Sequence, residues 1–94
     1  MNKEEYEDMQ RALLRALKDR YFTTNRIDSY NDGILAAKSI LKRFSLFYGF
    51  DHDFDKDECM VLKKAFFYKF KSGKGRYDAE YNDAIKMAMK IIGE

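Results

Sequence analysis

The chain has no proline and no tryptophan, one cysteine and one histidine. Each scarcity removes a class of explanation. A single cysteine cannot close an internal disulfide, so Cys59 fits a reducing compartment. His52 and Cys59 are the only imidazole and thiol, which leaves few actors for acid–base or nucleophilic chemistry. Cys59 also shares an apolar face with Leu62 and Phe66, the setting of a buried, inert thiol. An enzyme is not expected, and no cofactor is implied. No run approaches the ~18 uninterrupted apolar residues of a membrane span. The opening Met-Asn-Lys-Glu-Glu-Tyr-Glu-Asp is acidic where a signal peptide is basic and then apolar. A soluble, cytoplasmic protein with no membrane partner is the expectation.

Strand-like alternation is also missing, and helical spacing recurs in its place. The 94 residues make one helical domain, 1–94, with one modest core and little room for a deep enclosed pocket. Hydrophobic residues at 46% with charged residues at 36% suit a folded domain and rule against disorder. The aromatic share of 16% is all Phe and Tyr, suited to a core or to a contact surface.

The periodicity predicts four helices. The first spans about Lys3 to Tyr21, capped by Asn2, with Tyr6, Met9, Leu13 and Leu17 on one face. The second starts between Asn25 and Ser29, either of which can cap it. It carries a stripe of Ile27, Tyr30, Ile34, Ala37, Leu41 and Phe44, and Gly49 stops it. The third starts near Asp55 with Cys59, Leu62, Phe66 and Phe70 on one face, widened by Val61, Ala65 and Tyr68, and Gly73 and Gly75 end it. Apolar nearly all round, it is either central or partly exposed for binding. The fourth runs from Asp78 to Ile92 with Tyr81, Ile85, Ala88 and Ile92 inward. Short connections suit an all-α, compact four-helix bundle.

Residues 30–41 read YNDGILAAKSIL and residues 81–92 read YNDAIKMAMKII. Arg-x-Asp precedes each, shifted by one residue. Two related helical hairpins about a pseudo-twofold axis, or two amphipathic helix starts that converge by chance, account for this equally well. The first and third helices do not align convincingly. Gly33 costs its helix about 1 kcal/mol against alanine, which a close helix–helix approach would justify. The Tyr-x-x-Ala-Ile pattern at Tyr81 resembles the second helix of a tetratricopeptide repeat. The spacing of about 51 residues, against about 34 in that family, rejects membership.

Charge is divided unevenly although the net value is only +2. Residues 51–58 hold five acids and one lysine, whereas residues 63–76 hold six basic residues and no acid. The acidic run resembles a calcium-binding EF-hand loop, but Lys56 and Leu62 stand where glycine and a bidentate glutamate are required. Helix capping explains the acids better, and Asp51, His52, Asp53 and Asp55 are left as weak metal candidates.

The basic aromatic run supplies the candidate site: Lys63, Lys64, Phe67, Tyr68, Lys71, Lys74 and Arg76. Cations attract phosphates or carboxylates, and exposed rings stack or fill pockets. Ser72-Gly73-Lys74-Gly75 lacks the glycine and hydroxyl of a phosphate loop and follows a helix where it should precede one. Asp78, Glu80 and Asp83 at the start of the fourth helix would repel duplex DNA. The expected function is therefore a small non-enzymatic binding protein acting through protein–protein contacts. Its residue usage fits a phage- or bacterium-encoded modulator or inhibitor. The alternative is a nucleic-acid-binding accessory protein using the same basic stripe, and a third reading is a homodimer through the third helix.

Overall fold

Four α-helices follow one another in this computed structural model, which describes residues 3–18, 24–49 and 56–93. They are α1 (Lys3–Ala16), α2 (Asn25–Tyr48), α3 (Lys56–Phe67) and α4 (Asp78–Gly93). No strand occurs among the described residues. The all-α four-helix bundle is thus as the periodicity predicts. Within it, α2 and α4 are the central pair and share the most extensive interface. α1 and α3 each pack against both, and among the described residues they do not touch each other.

The 24 residues of α2 make a rod of roughly 36 Å, close to the 40 Å long dimension of the molecule. Thr24 caps it, its Oγ1 accepting the Ile27 N–H at 3.2 Å. Asn25 and Ser29, the expected caps, lie inside the helix, because Thr24 one step earlier already satisfies the free N–H. Gly49 ends it as expected, with φ +81° and its N–H on the Ser45 carbonyl at 2.9 Å. The predicted stripe is the buried face: Tyr30, Ile34, Ala37, Leu41 and Phe44 are buried and Ile27 is half-buried. Leu13 and Phe66 cover this stripe from α1 and α3, and Ala84, Ile85 and Ala88 complete the core from α4. Burying each of the large side chains stabilises the fold by about 1.5–3 kcal/mol.

Gly33 marks a close approach of the two central helices. A Cβ there would lie 2.7 Å from the Ala84 Cβ and 2.7 Å from the Tyr81 carbonyl oxygen. The close approach predicted from the glycine is present.

Two helices end earlier than their periodicity predicts, and for the same reason. α1 stops at Ala16, not Tyr21. Leu17 N–H makes a tightened bond to the Leu14 carbonyl, and the side chain of Asn31 takes the backbone of Lys18. Asn31 Oδ1 accepts the Lys18 N–H at 2.9 Å, and Nδ2 donates to the Lys18 carbonyl at 3.1 Å. α3 stops at Phe67, not at Gly73. Asn82 grips Lys71 in the same way, at 2.9 and 3.0 Å. An asparagine amide offers one acceptor and one donor edge, which matches a single residue's N–H and C=O.

The likeness continues outward from these clamps. Lys18 Nζ lies 4.3 Å from the centre of the Tyr30 ring, and Lys71 Nζ lies 4.4 Å from that of Tyr81. Burial raises the Tyr30 hydroxyl above its ordinary pKa, and the charge of Asp83 adds to it. Burial raises Tyr81 likewise, helped by Asp32. Each hairpin's Asp therefore acts on the other hairpin's Tyr.

The clamped lysines also set a register for α1 and α3, which do align once it is applied. Met9, Ala12, Leu13 and Leu17 correspond to Leu62, Ala65, Phe66 and Phe70. In both sets the central member, Leu13 or Phe66, is the most deeply buried. The first helices stand 53 residues apart and the second helices 51, so the connection in the second hairpin is two residues shorter. The repeated YND motif is two hairpins built alike.

Candidate interaction surface

α3 is peripheral, so the apolar character around its circumference does not serve the core. Only Leu62 and Phe66 are buried among the residues whose side chains are described in this helix. Ala65 is half-buried. Val61 and Tyr68, expected to widen the inner face, point outward at 51% and 87% exposure. With α2 and α4 already in contact, α3 has room to bury only a narrow stripe. Phe67 is 58% exposed, with its ring 5.8 Å from that of Phe70, and Met60 is 54% exposed.

The predicted site residues Lys63, Lys64, Phe67, Tyr68, Lys71, Lys74 and Arg76 are all exposed. They do not form one uniform cationic stripe. Lys71 lies over the Tyr81 ring, and the Arg76 guanidinium lies 5.6 Å from the centre of the Tyr77 ring. These two cations thus turn toward their own chain. Lys63 and Lys64 flank Met60 and Phe67 on the outer face. Lys74 sits in the following loop, where its N–H meets Ser72 Oγ at 3.3 Å. Gly75 N–H donates to Asp78 Oδ2 at 2.9 Å, joining that loop to the start of α4. Met60 and Val61 belong to the same surface, and the sequence reading missed them. The signal available was that a 12-residue helix with seven apolar residues carries more than one inward stripe can hold.

Two further surfaces stand out. At the end of α2, Leu46 and Phe47 are 67% and 81% exposed. Between α1 and α2 lies an open groove of about 450 Å³ lined by Tyr6, Gln10, Leu14, Leu35 and Lys38 among others. Gln10 donates to the Lys38 carbonyl at 3.4 Å. The buried Oε1 of Gln10 has no hydrogen-bond partner among the described residues.

The weak metal candidates Asp51, His52, Asp53 and Asp55, and the side chain of Cys59, lie outside the described residues. Among the described residues no group of three or more His, Cys, Asp or Glu is placed to hold a metal ion. No described helix is long and apolar enough to cross a membrane. Comparison with protein-family models, curated proteins and solved structures finds no match for this chain.

Proposed function

We propose that the chain is a small non-enzymatic binding protein that works through protein–protein contacts, in the manner of a modulator or inhibitor. The outer face of α3 is its contact surface. One observation carries this reading. The two hairpins make the same internal contacts, so they place the same demands on their outer helices. At the matching positions α1 carries the exposed Glu7, Asp8, Arg11, Leu14 and Arg15 and the half-buried Gln10, with Asp8 and Arg11 paired to each other. The corresponding positions on α3 carry Met60, Val61, Lys63, Lys64, Phe67 and Tyr68. The hairpin needs no apolar side chain at the positions of Met60, Val61 and Tyr68, since its twin carries Glu7, Asp8 and Arg15 there; Phe67 alone has an apolar counterpart, Leu14, which lines the groove against α2. Exposed aromatic and methionine side chains with cations at the margin match the make-up of recognition surfaces.

A tagged chain incubated with source-cell lysate, half of it nuclease-treated, tests the reading. A protein captured despite nuclease, and lost with Phe67→Ala and Tyr68→Ala, is expected. Capture of nucleic acid alone, abolished by Lys63→Glu and Lys64→Glu, would replace this function with the nucleic-acid alternative.

A further inference from the structure

We infer that the segment docking on α3 is an acidic amphipathic helix of a different protein; this rests on α3 being the contact surface. At about 100° per residue, Met60, Lys64 and Phe67 fall within an arc of about 60° at the centre of the exposed face. Val61 and Tyr68 extend the arc on one side and Lys63 on the other. An apolar surface with Lys63 at its edge and Lys64 among its apolar side chains complements a helix that presents apolar side chains at i, i+3, i+4 and i+7 with carboxylates beside them. No acid occurs from Cys59 to Tyr77, so the carboxylates of such a partner meet only cations there, and Asp57 and Glu58 at the start of the helix bound that stretch.

Three other occupants fit less well. A phosphate backbone follows a continuous row of cations. Here Met60 and Phe67 interrupt the row, and Lys71 and Arg76 lie over rings of their own chain. A second copy docking α3 on α3 would set Lys63 and Lys64 against each other. A second copy offering its acidic α1 brings Glu4, Glu7 and Asp8. The apolar residues of that helix are mostly packed on the core, Tyr6, Met9 and Leu13 among them, and Leu14 alone is exposed, too little for an apolar ridge to dock on.

The probe is a synthetic helical peptide with leucines on one face and glutamates beside them, compared with the same peptide carrying lysines for glutamates and with an oligothymidylate. Binding is read by fluorescence anisotropy at low and moderate salt. The acidic peptide should bind at least about tenfold more tightly than the basic one and weaken with salt. Lys63→Glu with Lys64→Glu, and separately Phe67→Ala, should each weaken it by about tenfold or more. These positions are exposed, so an unchanged melting temperature shows that the variants still fold. Equal binding of the two peptides, no binding, indifference to the lysine reversals, or tighter binding of the oligonucleotide overturns the inference. So does self-association in sedimentation that Phe67→Ala abolishes, which makes the occupant a second copy. A lysate partner that depends on Phe67 but not on the lysines leaves the proposed function standing and removes only the acidic-helix assignment.

Discussion

Replacing Gly33 with alanine sets two opposing effects against each other at one site. In a helix interior the change gains about 1 kcal/mol from propensity. The new methyl would meet the Ala84 Cβ and the Tyr81 carbonyl oxygen, both at 2.7 Å, where ordinary contact begins at 3.4 Å. One neighbour is backbone and the other is a methyl with no rotamer, so neither can swing aside. α2 and α4 must separate along the most extensive interface in the molecule. Overpacking of this kind costs about 1–3 kcal/mol, and the rigidity of both neighbours puts Gly33→Ala at or above the upper end. Net of the propensity gain, the loss is about 2 kcal/mol. For a domain of this length each kcal/mol moves Tm by about 4–8 °C, so Tm should fall by roughly 8–16 °C. Thermal unfolding followed by circular dichroism measures this, and urea unfolding should show a lower midpoint with an unchanged slope. A Tm that is unchanged or higher would refute the argument, because helix propensity would then outweigh the crossing.

Phe66→Ala should cost about 3–5 kcal/mol, whereas the adjacent Phe67→Ala should stay within about 0.5 kcal/mol, both read by urea unfolding. Equal costs would mean that the outer face of α3 is part of the core. Asn31→Ala removes a fully buried amide and its two part-buried bonds to the Lys18 N–H and carbonyl, and should cost about 2–3 kcal/mol in the same assay. Asn82→Ala should cost less, because Asn82 is only half-buried and its bonds to Lys71 are exposed, so water can replace the amide. Tyr30 and Tyr81 titrate above the ordinary tyrosine value in the folded state, so the unfolded chain loses those protons first. Their contribution to stability is whole below about pH 10 and declines as pH rises through the folded values. Tyr30→Phe with Tyr81→Phe should flatten that alkaline decline, and ultraviolet titration should show two late tyrosines in the parent chain.

Much of the scaffold was legible in the sequence, for identifiable reasons. The stripe from Tyr30 to Phe44 runs along a central helix, where period and burial coincide. Gly33 announced a crossing because a helix tolerates glycine mid-run only at a cost. The ends of α1 and α3 were illegible because side chains from other helices set them: Asn31 acts on Lys18 and Asn82 on Lys71, at separations of 13 and 11 residues. The same two-residue mismatch hid the alignment of α1 with α3. At the candidate site, charge and aromatic content were visible, but their direction was not. Periodicity assigned Val61 and Tyr68 to the inside, because it counts apolar positions without knowing how narrow a stripe a peripheral helix can bury. It also gave Lys71 and Arg76 the same standing as Lys63, and only the ring contacts separate them.

The two asparagine clamps hold even though the chain between clamp and repeated helix differs in length by two residues. Each amide therefore works as a mechanical anchor that isolates the helices from whatever runs between. Closing a loop grows costlier only slowly as it lengthens. The stretch between Lys71 and Asp78 is consequently a natural splice point, where a foreign epitope or a second recognition loop can be grafted while the bundle keeps its register.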